Sequence, residues 1–383
     1  MKKILLFLVL FLLLPIFAYG NEQQTIEELE NTREINELYN YINNLQLEEE
    51  LLSGFNTREY ISYFLKNGEG NVSFKNILKT VLTAGVRELI SFVKLSVLVL
   101  IIAIIAALIK NLQNAFSNDS LSNIAYFACY GLLVIILAKS FVLSIDIVRD
   151  TITKLSDFMA ALIPVLLLLL TTIGGISEAA ILNPIVLTAI NLAPRIYRDI
   201  IIPLILAGFA LQFANNISDQ YKLSGLAKLI KQSVLWSQGL MITLVVGLLS
   251  IKGITANTLD VVTLKTAKFA VDNFIPIIGK AMSDAITTVA GYSLILKGAV
   301  GTIGLLILLF IVITPIIKVF LCAMVYKLTA AFIEPISDSK IVSCIASAGD
   351  SLILLMSALI SVSVMFFIMI AIIAASGKSI ILG

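Results

Sequence analysis

The chain has 383 residues, of which 59% are hydrophobic and 14% are charged, and its mean hydropathy is +1.00. Soluble proteins carry charge on about a quarter of their residues, so this composition excludes an ordinary soluble domain and predicts an integral membrane protein. The formal net charge of +2 hides an uneven distribution, because residues 21–70 hold eleven glutamates against Arg33, Arg58 and Lys66.

Residues 1–20 have the pattern of a secretory signal peptide. Lys2 and Lys3 precede an apolar run, and Ala18 and Gly20 place small residues where such peptides are cleaved. An uncleaved anchor is the alternative, although the run is short for a bilayer. In both cases we expect the acidic residues 21–72 outside the cytoplasm. Their apolar positions recur at helical spacing, which predicts a helical segment that acts as a solvated lid or docks a partner.

The rest of the chain is predicted to lie on or in the membrane. One apolar face at residues 73–94 indicates an amphipathic interfacial helix, or the lower part of the next span. The apolar runs that follow predict an all-α, polytopic helical membrane protein with seven or eight apolar segments, two of them broken by Pro or Gly. The predicted order is two membrane helices at 95–157, a membrane repeat at 158–253, a linker helix at 254–272 and a second membrane repeat at 273–376.

The first broken segment runs from Phe158 to Ala193. Pro164 lies in its first half, Gly174 and Gly175 interrupt its middle, and Glu178 follows them. A broken helix in hydrocarbon leaves backbone N–H and C=O groups without partners, so we expect this segment to face protein or a water-lined cavity. Basic residues do not obey the positive-inside rule if every run crosses, which predicts that at least one broken segment is re-entrant.

Polar motifs recur along the chain and predict an internal duplication. The matches, at offsets of 112 and then 119 residues, are Ile163-Pro164 with Ile275-Pro276, Pro203 with Pro315, and Ile217-Ser218-Asp219 with Ile336-Ser337-Asp338. Chance similarity within Leu- and Ile-rich sequence is the alternative. Paired Pro- or Gly-interrupted segments in two halves of a membrane protein point to a binding or conducting site near the midplane.

The second broken segment supplies the other half of the predicted site. Lys280 and Asp284 follow Pro276, and their spacing of four places them on one helical face. Charges inside apolar runs are costly and usually face a cavity, although a pair that only neutralises itself in a short loop is the alternative. The predicted cavity and broken-helix residues are Pro164, Gly174, Gly175, Glu178, Pro276, Lys280 and Asp284, and Glu178, Lys280 and Asp284 are predicted to line a polar passage.

Residues and motifs for catalysis are missing from the sequence. It contains no histidine, the commonest general base and metal ligand. Cys129, Cys322 and Cys344 lie far apart without C-x-x-C spacing and are interpreted as small buried hydrophobes. The patterns G-x-x-x-x-G-K-[ST], H-E-x-x-H and G-x-S-x-G are absent. We therefore predict no enzyme, no cofactor and no metal site, and the scattered basic residues argue against nucleic acid as a partner.

The second half of the chain carries a family resemblance. The run from Asn273 to Gly301, followed by Tyr326-Lys327-Leu328 and Glu334-Pro335-Ile336-Ser337-Asp338, resembles the stage III sporulation protein AE family of endospore-forming bacteria. The signal peptide, the acidic N-terminal segment and the multi-span body are also similar, so the resemblance covers most of the chain. It implies a component of the sporulation complex made in the mother cell, in the membrane around the engulfed forespore. The implied partners are a separate ATPase and ring-forming subunits, and no catalytic residues are implied.

Three functions are consistent with the sequence. The first is a channel- or permease-like subunit of that sporulation complex, with residues 21–70 in the space between the two membranes. The second is a stand-alone secondary transporter of a small solute. The third is a membrane scaffold that anchors ring-forming partners.

Overall fold

The computed structural model describes residues 32–48, 56–67, 97–109, 119–217, 223–274 and 279–377, and four isolated helical positions between 83 and 93. Within these ranges every regular element is a helix and no strand occurs, which confirms the all-α prediction. The helices are α1 Arg33–Glu48, α2 Thr57–Asn67, α3 Val97–Ile109, α4 Asp119–Thr172, α5 Ile176–Ile196, α6 Ile202–Ile217, α7 Ser224–Phe274, α8 Gly279–Ile333 and α9 Ser339–Ala375. A π-helical turn at Tyr197–Ile201 joins α5 to α6.

Five helical stretches are long and apolar enough to cross a bilayer. They are Ile124–Thr172, Ile176–Asn215, Ser224–Ile251, Thr287–Ile333 and Ser339–Ala375. About 20 residues suffice to span the hydrocarbon core, and even the shortest stretch has 28. The chain is therefore a multi-pass membrane protein, as predicted.

The seven or eight apolar segments of the prediction merge into fewer, longer helices. The runs 124–147 and 158–172 are both part of α4, and the runs 274–295 and 300–320 meet in α8. A continuous helix satisfies its backbone groups internally, and Pro164 and Pro315 lie inside α4 and α8 without ending them. The expected break at Pro164 is therefore wrong.

Two of the predicted boundaries, 157/158 and 253/254, fall inside the continuous helices α4 and α7. They do not coincide with breaks in the backbone. The internal duplication, the linker helix and the signal peptide stay predictions, and residues 1–31 lie outside the described part of the chain.

Exposed charges form a band halfway along α4 and at the junction of α5 and α6. This charged belt consists of Asp146, Arg149, Asp150, Asp157, Arg195 and Asp199. The guanidinium of Arg198 donates to the hydroxyl of Thr153 at 2.9 Å, and Ser156 donates to the carbonyl of Ile190 at 3.1 Å. The middle of α4 and the end of α5 with its π-helical turn therefore lie side by side. Beyond the belt, 158–172 runs to the end of α4 and 176–193 returns in α5, and whether this segment is re-entrant stays a prediction.

The two helices of the acidic N-terminal segment pack on the same half of the bundle as this hairpin. In α1 the Tyr41 hydroxyl donates to the carbonyl of Lys154 at 3.1 Å, and its ring centroid lies 6.2 Å from that of Phe158. In α2 the Phe64 ring lies 3.9 Å from where a side chain on Gly298 would begin. The polar helices α1 and α2 are therefore bound to α4 and α8 through apolar faces.

Candidate functional site

The backbone break predicted at Gly174 and Gly175 is where α4 ends. The N–H of Gly175 donates to the carbonyl of Leu170, and that of Gly174 donates to the carbonyl of Thr171, both at 3.0 Å. Gly174 has φ +100°, so this pair of bonds is a Schellman motif with glycine in the left-handed position. The motif satisfies carbonyls that would otherwise be orphaned at an apolar helix end.

Three chain segments converge on this turn. A Cβ on Gly175 would lie 2.7 Å from a Leu170 methyl carbon, and one on Gly377 would lie 3.0 Å from the same atom. Gly377 follows α9 and has φ +79°. The end of α4, the start of α5 and the end of α9 are therefore in close contact.

We expect Gly174→Ala to lower the free energy of unfolding by about 1–2 kcal/mol, because alanine is strained in the left-handed region. Gly239→Ala is the matched control: Gly239 lies inside α7 and a Cβ there meets nothing within 4 Å. That variant should be neutral or slightly stabilised, since alanine favours helix. Unfolding of both purified variants in mixed micelles checks the prediction, and equal effects would contradict it.

A carboxylate from another helix caps the start of α5. The Asp260 side chain, in α7, accepts from the backbone N–H of Ser177 at 2.9 Å and from that of Glu178 at 2.8 Å. Asp260 is only 2% exposed. The first N–H groups of a helix lack internal partners and carry the positive end of its dipole, so they stabilise a negative charge there.

A buried ammonium interacts with the end of α9. Lys297, in α8, is fully buried, and its Nζ donates to the carbonyl of Ser376 at 2.6 Å. The last carbonyls of a helix carry partial negative charge, so a cation is favoured at this position. Asp260 and Lys297 therefore place opposite charges on opposite helix termini.

Glu178 lies between these groups. It is 2% exposed, and its Oε2 has no hydrogen-bond partner among the described residues. The hydroxyl of Ser376, the ammonium of Lys297, the carboxyl of Asp260 and the N–H of Gly377 are close enough to act on its carboxyl. We call Glu178, Asp260, Lys297 and Ser376 the helix-end cluster.

The structure brings some of the predicted site residues together. Gly174, Gly175 and Glu178 lie at the turn, whereas Pro164 lies further down α4. Pro276 is outside the described residues, and so are the side chains of Lys280 and Asp284, which are in the first turns of α8. The proposed meeting of the two broken segments is therefore neither supported nor opposed.

Sequence reasoning missed three members of the cluster. Asp260 was placed in a linker, and Ser376 follows a helix whose end offers no motif. Lys297 had a usable signal, since it is the only charged residue between Asp284 and Lys318.

Among the described residues, no three His, Cys, Asp or Glu side chains are grouped so that they could hold a metal ion.

Comparison with known proteins decides the family. The sequence model of stage III sporulation protein AE matches residues 55–377. The chain belongs to the stage III sporulation protein AE family. Stage III sporulation protein AE of Bacillus subtilis (strain 168) is 34% identical over 312 residues, which is 82% of this chain and 78% of that protein. No solved structure matches the chain significantly.

The helix-end cluster lies inside the region shared with this family. The matched residues begin at 55 and end at 377, so they include α2 and both glycine turns. The resemblance seen in the sequence is confirmed, and the chain is a multi-pass membrane protein of a sporulation family.

Proposed function

We propose that this protein is a non-enzymatic, channel- or permease-like subunit of the mother-cell sporulation complex and lies in the membrane around the engulfed forespore. Its proposed partners are a separate ATPase and ring-forming subunits of that complex. The observation that supports this function best is the helix-end cluster, in which Glu178, Asp260 and Lys297 are at most 2% exposed. Ionisable groups inside membrane helices are rare and usually mark a path for ions or polar solutes.

Stability alone is a poor reason to keep these charges. Replacing a buried ion pair by apolar residues of similar volume is often neutral or stabilising, because removing charges from water is costly. In an anchor with no other role, stability therefore does not explain why Glu178 and Lys297 are both ionisable. Glu178 and Ser376 lie at helix ends, whereas Asp260 and Lys297 reach them from within α7 and α8.

The position of the cluster suggests which side a passage opens to. Glu178 is the third residue of α5, and Ser376 directly follows α9, so the cluster lies near one end of the bundle and not at its midplane. Phe64 of α2 packs next to Gly298, the neighbour of Lys297. With the acidic segment outside the cytoplasm, the cluster lies at the opening of the proposed passage that faces the space between the two membranes.

The proposed function is tested by Glu178→Asp in sporulating cells. The variant keeps the carboxyl but shortens the side chain, and displacement of a functional group by about 1 Å can cost two orders of magnitude. We expect at least a tenfold loss of heat-resistant spores at normal protein level. Glu334→Asp is the control, because Glu334 is exposed in the turn after α8 and should sporulate normally.

The rival functions give different results. A scaffold would tolerate Glu178→Asp but fail when residues 21–70 are deleted behind an intact signal peptide. A stand-alone transporter would move solute in liposomes without an ATPase. Normal spore counts for Glu178→Asp would contradict the channel function.

A further inference from the structure

The ionisable groups of the helix-end cluster do not balance in charge. Asp260 accepts two backbone N–H bonds, one on each oxygen, at the positive end of the α5 dipole. Lys297 supplies one positive charge and donates to a helix-terminal carbonyl. Among the described residues of the cluster these two charges are equal and opposite, so an ionised Glu178 would add a further negative charge to a buried site.

The hydroxyl of Ser376, the ammonium of Lys297 and the N–H of Gly377 face that extra charge, but water does not, because Glu178 is buried. Its Oε2 has no hydrogen-bond partner among the described residues, and only 2% of the residue is exposed. The facing groups are Asp260 from α7, Lys297 from α8, and Ser376 and Gly377 after α9. The α4 residue at this turn, Leu170, is apolar and fully buried. A buried carboxyl in such surroundings is neutralised, because an uncompensated charge costs more than a bound proton.

We propose that Glu178 is a proton-binding site, which holds a proton while the ends of α4, α5 and α9 are packed over it and releases the proton to water when they separate. On release the carboxyl O–H bond breaks, water takes the proton, and a carboxylate remains on Glu178. This proposal rests on the proposed function and deepens it, because it names the proton as the species that the cluster binds.

Proton binding predicts how pH acts on the packed state. Below the pH at which the packed Glu178 ionises, the packed form carries its proton and is stable. Between the ordinary pKa of a glutamate and that pH, opening releases one proton, so the opening equilibrium rises by about tenfold per pH unit; above that pH both forms are ionised and the rise stops. Exposed carboxylates, which are ionised in both forms at neutral pH, contribute nothing to this dependence.

Infrared spectroscopy of the full-length protein in lipid bilayers tests the proposal. At neutral pH the wild type should show a protonated-carboxyl C=O stretching band that disappears at alkaline pH. Glu178→Gln removes the titratable group but preserves the shape of the side chain, so this band should be missing. Glu334→Gln is the control and should keep the band, since Glu334 is exposed.

A second variant keeps the proposal testable if Glu178→Gln does not fold. Glu178→Asp should keep a protonated-carboxyl band at a shifted frequency, because the acid now belongs to an aspartic side chain. Spectra of wild type and Glu178→Gln that coincide in this region at neutral pH would overturn the proposal. Because the band reports protonation and not passage, that result is distinct from normal sporulation of Glu178→Asp, which would overturn the function.

Discussion

Lys297→Met is expected to lower the free energy of unfolding by about 3–5 kcal/mol. Lys297 is fully buried, and both its ammonium and the carboxyl of Asp260 are close enough to act on the carboxyl of Glu178. Methionine fills nearly the same volume, so the main loss is electrostatic: the Asp260 carboxylate stays buried without a compensating cation, and breaking a buried pair in this way costs about that much.

The change can be measured by chemical unfolding of purified protein in mixed micelles. Lys231→Met is the control, since Lys231 is exposed in α7 and its charge is solvated. A loss equal to that of Lys231→Met would mean that Lys297 is not buried in the cluster.

Asp260→Asn is expected to weaken the start of α5 by about 1–3 kcal/mol, because one of two backbone donors loses its acceptor in a buried place. Asparagine keeps one carbonyl oxygen but loses the second acceptor and the negative charge at the helix N-terminus. In the wild type the backbone amides of Ser177 and Glu178 donate to Asp260, so both amides should exchange with solvent faster in the variant.

Hydrogen–deuterium exchange of the peptide that contains these two amides measures the effect directly. Asp150→Asn is the matched control, because Asp150 lies on an exposed face of α4. It should leave exchange at the start of α5 unchanged. Unchanged exchange in Asp260→Asn as well would show that the carboxylate does not cap α5.

The sequence allowed the helical class and the turn to be predicted, since both have local causes. Two adjacent glycines stop a helix wherever it lies, and Gly174 is found with the positive φ that only glycine adopts readily. Pro164 misled the prediction, because a proline inside a long helix removes one hydrogen bond and the neighbouring helices stabilise the rest. The backbone break at the two glycines was therefore predicted correctly, whereas the expected break at Pro164 is not found.

The cluster itself could not be predicted from local pattern. Asp260 caps α5 across 82 positions of sequence, and Lys297 contacts Ser376 across 79. Such contacts depend on how α7, α8 and α9 pack, which the apolar periodicity of each helix does not specify. In the sequence, only the position of Lys297 within a long uncharged run indicates that its charge is buried.

Asp260 and Lys297 are expected to act on each other as opposite charges within one buried cluster. A double-mutant cycle on Asp260→Asn, Lys297→Met and the combined variant tests it most directly, with free energies of unfolding measured in the same micelles. We expect the combined variant to be less destabilised than the sum of the single variants by about 1–3 kcal/mol, the range found for residues that share a network. Strictly additive losses would contradict the claim, because each charge would then be buried independently of the other.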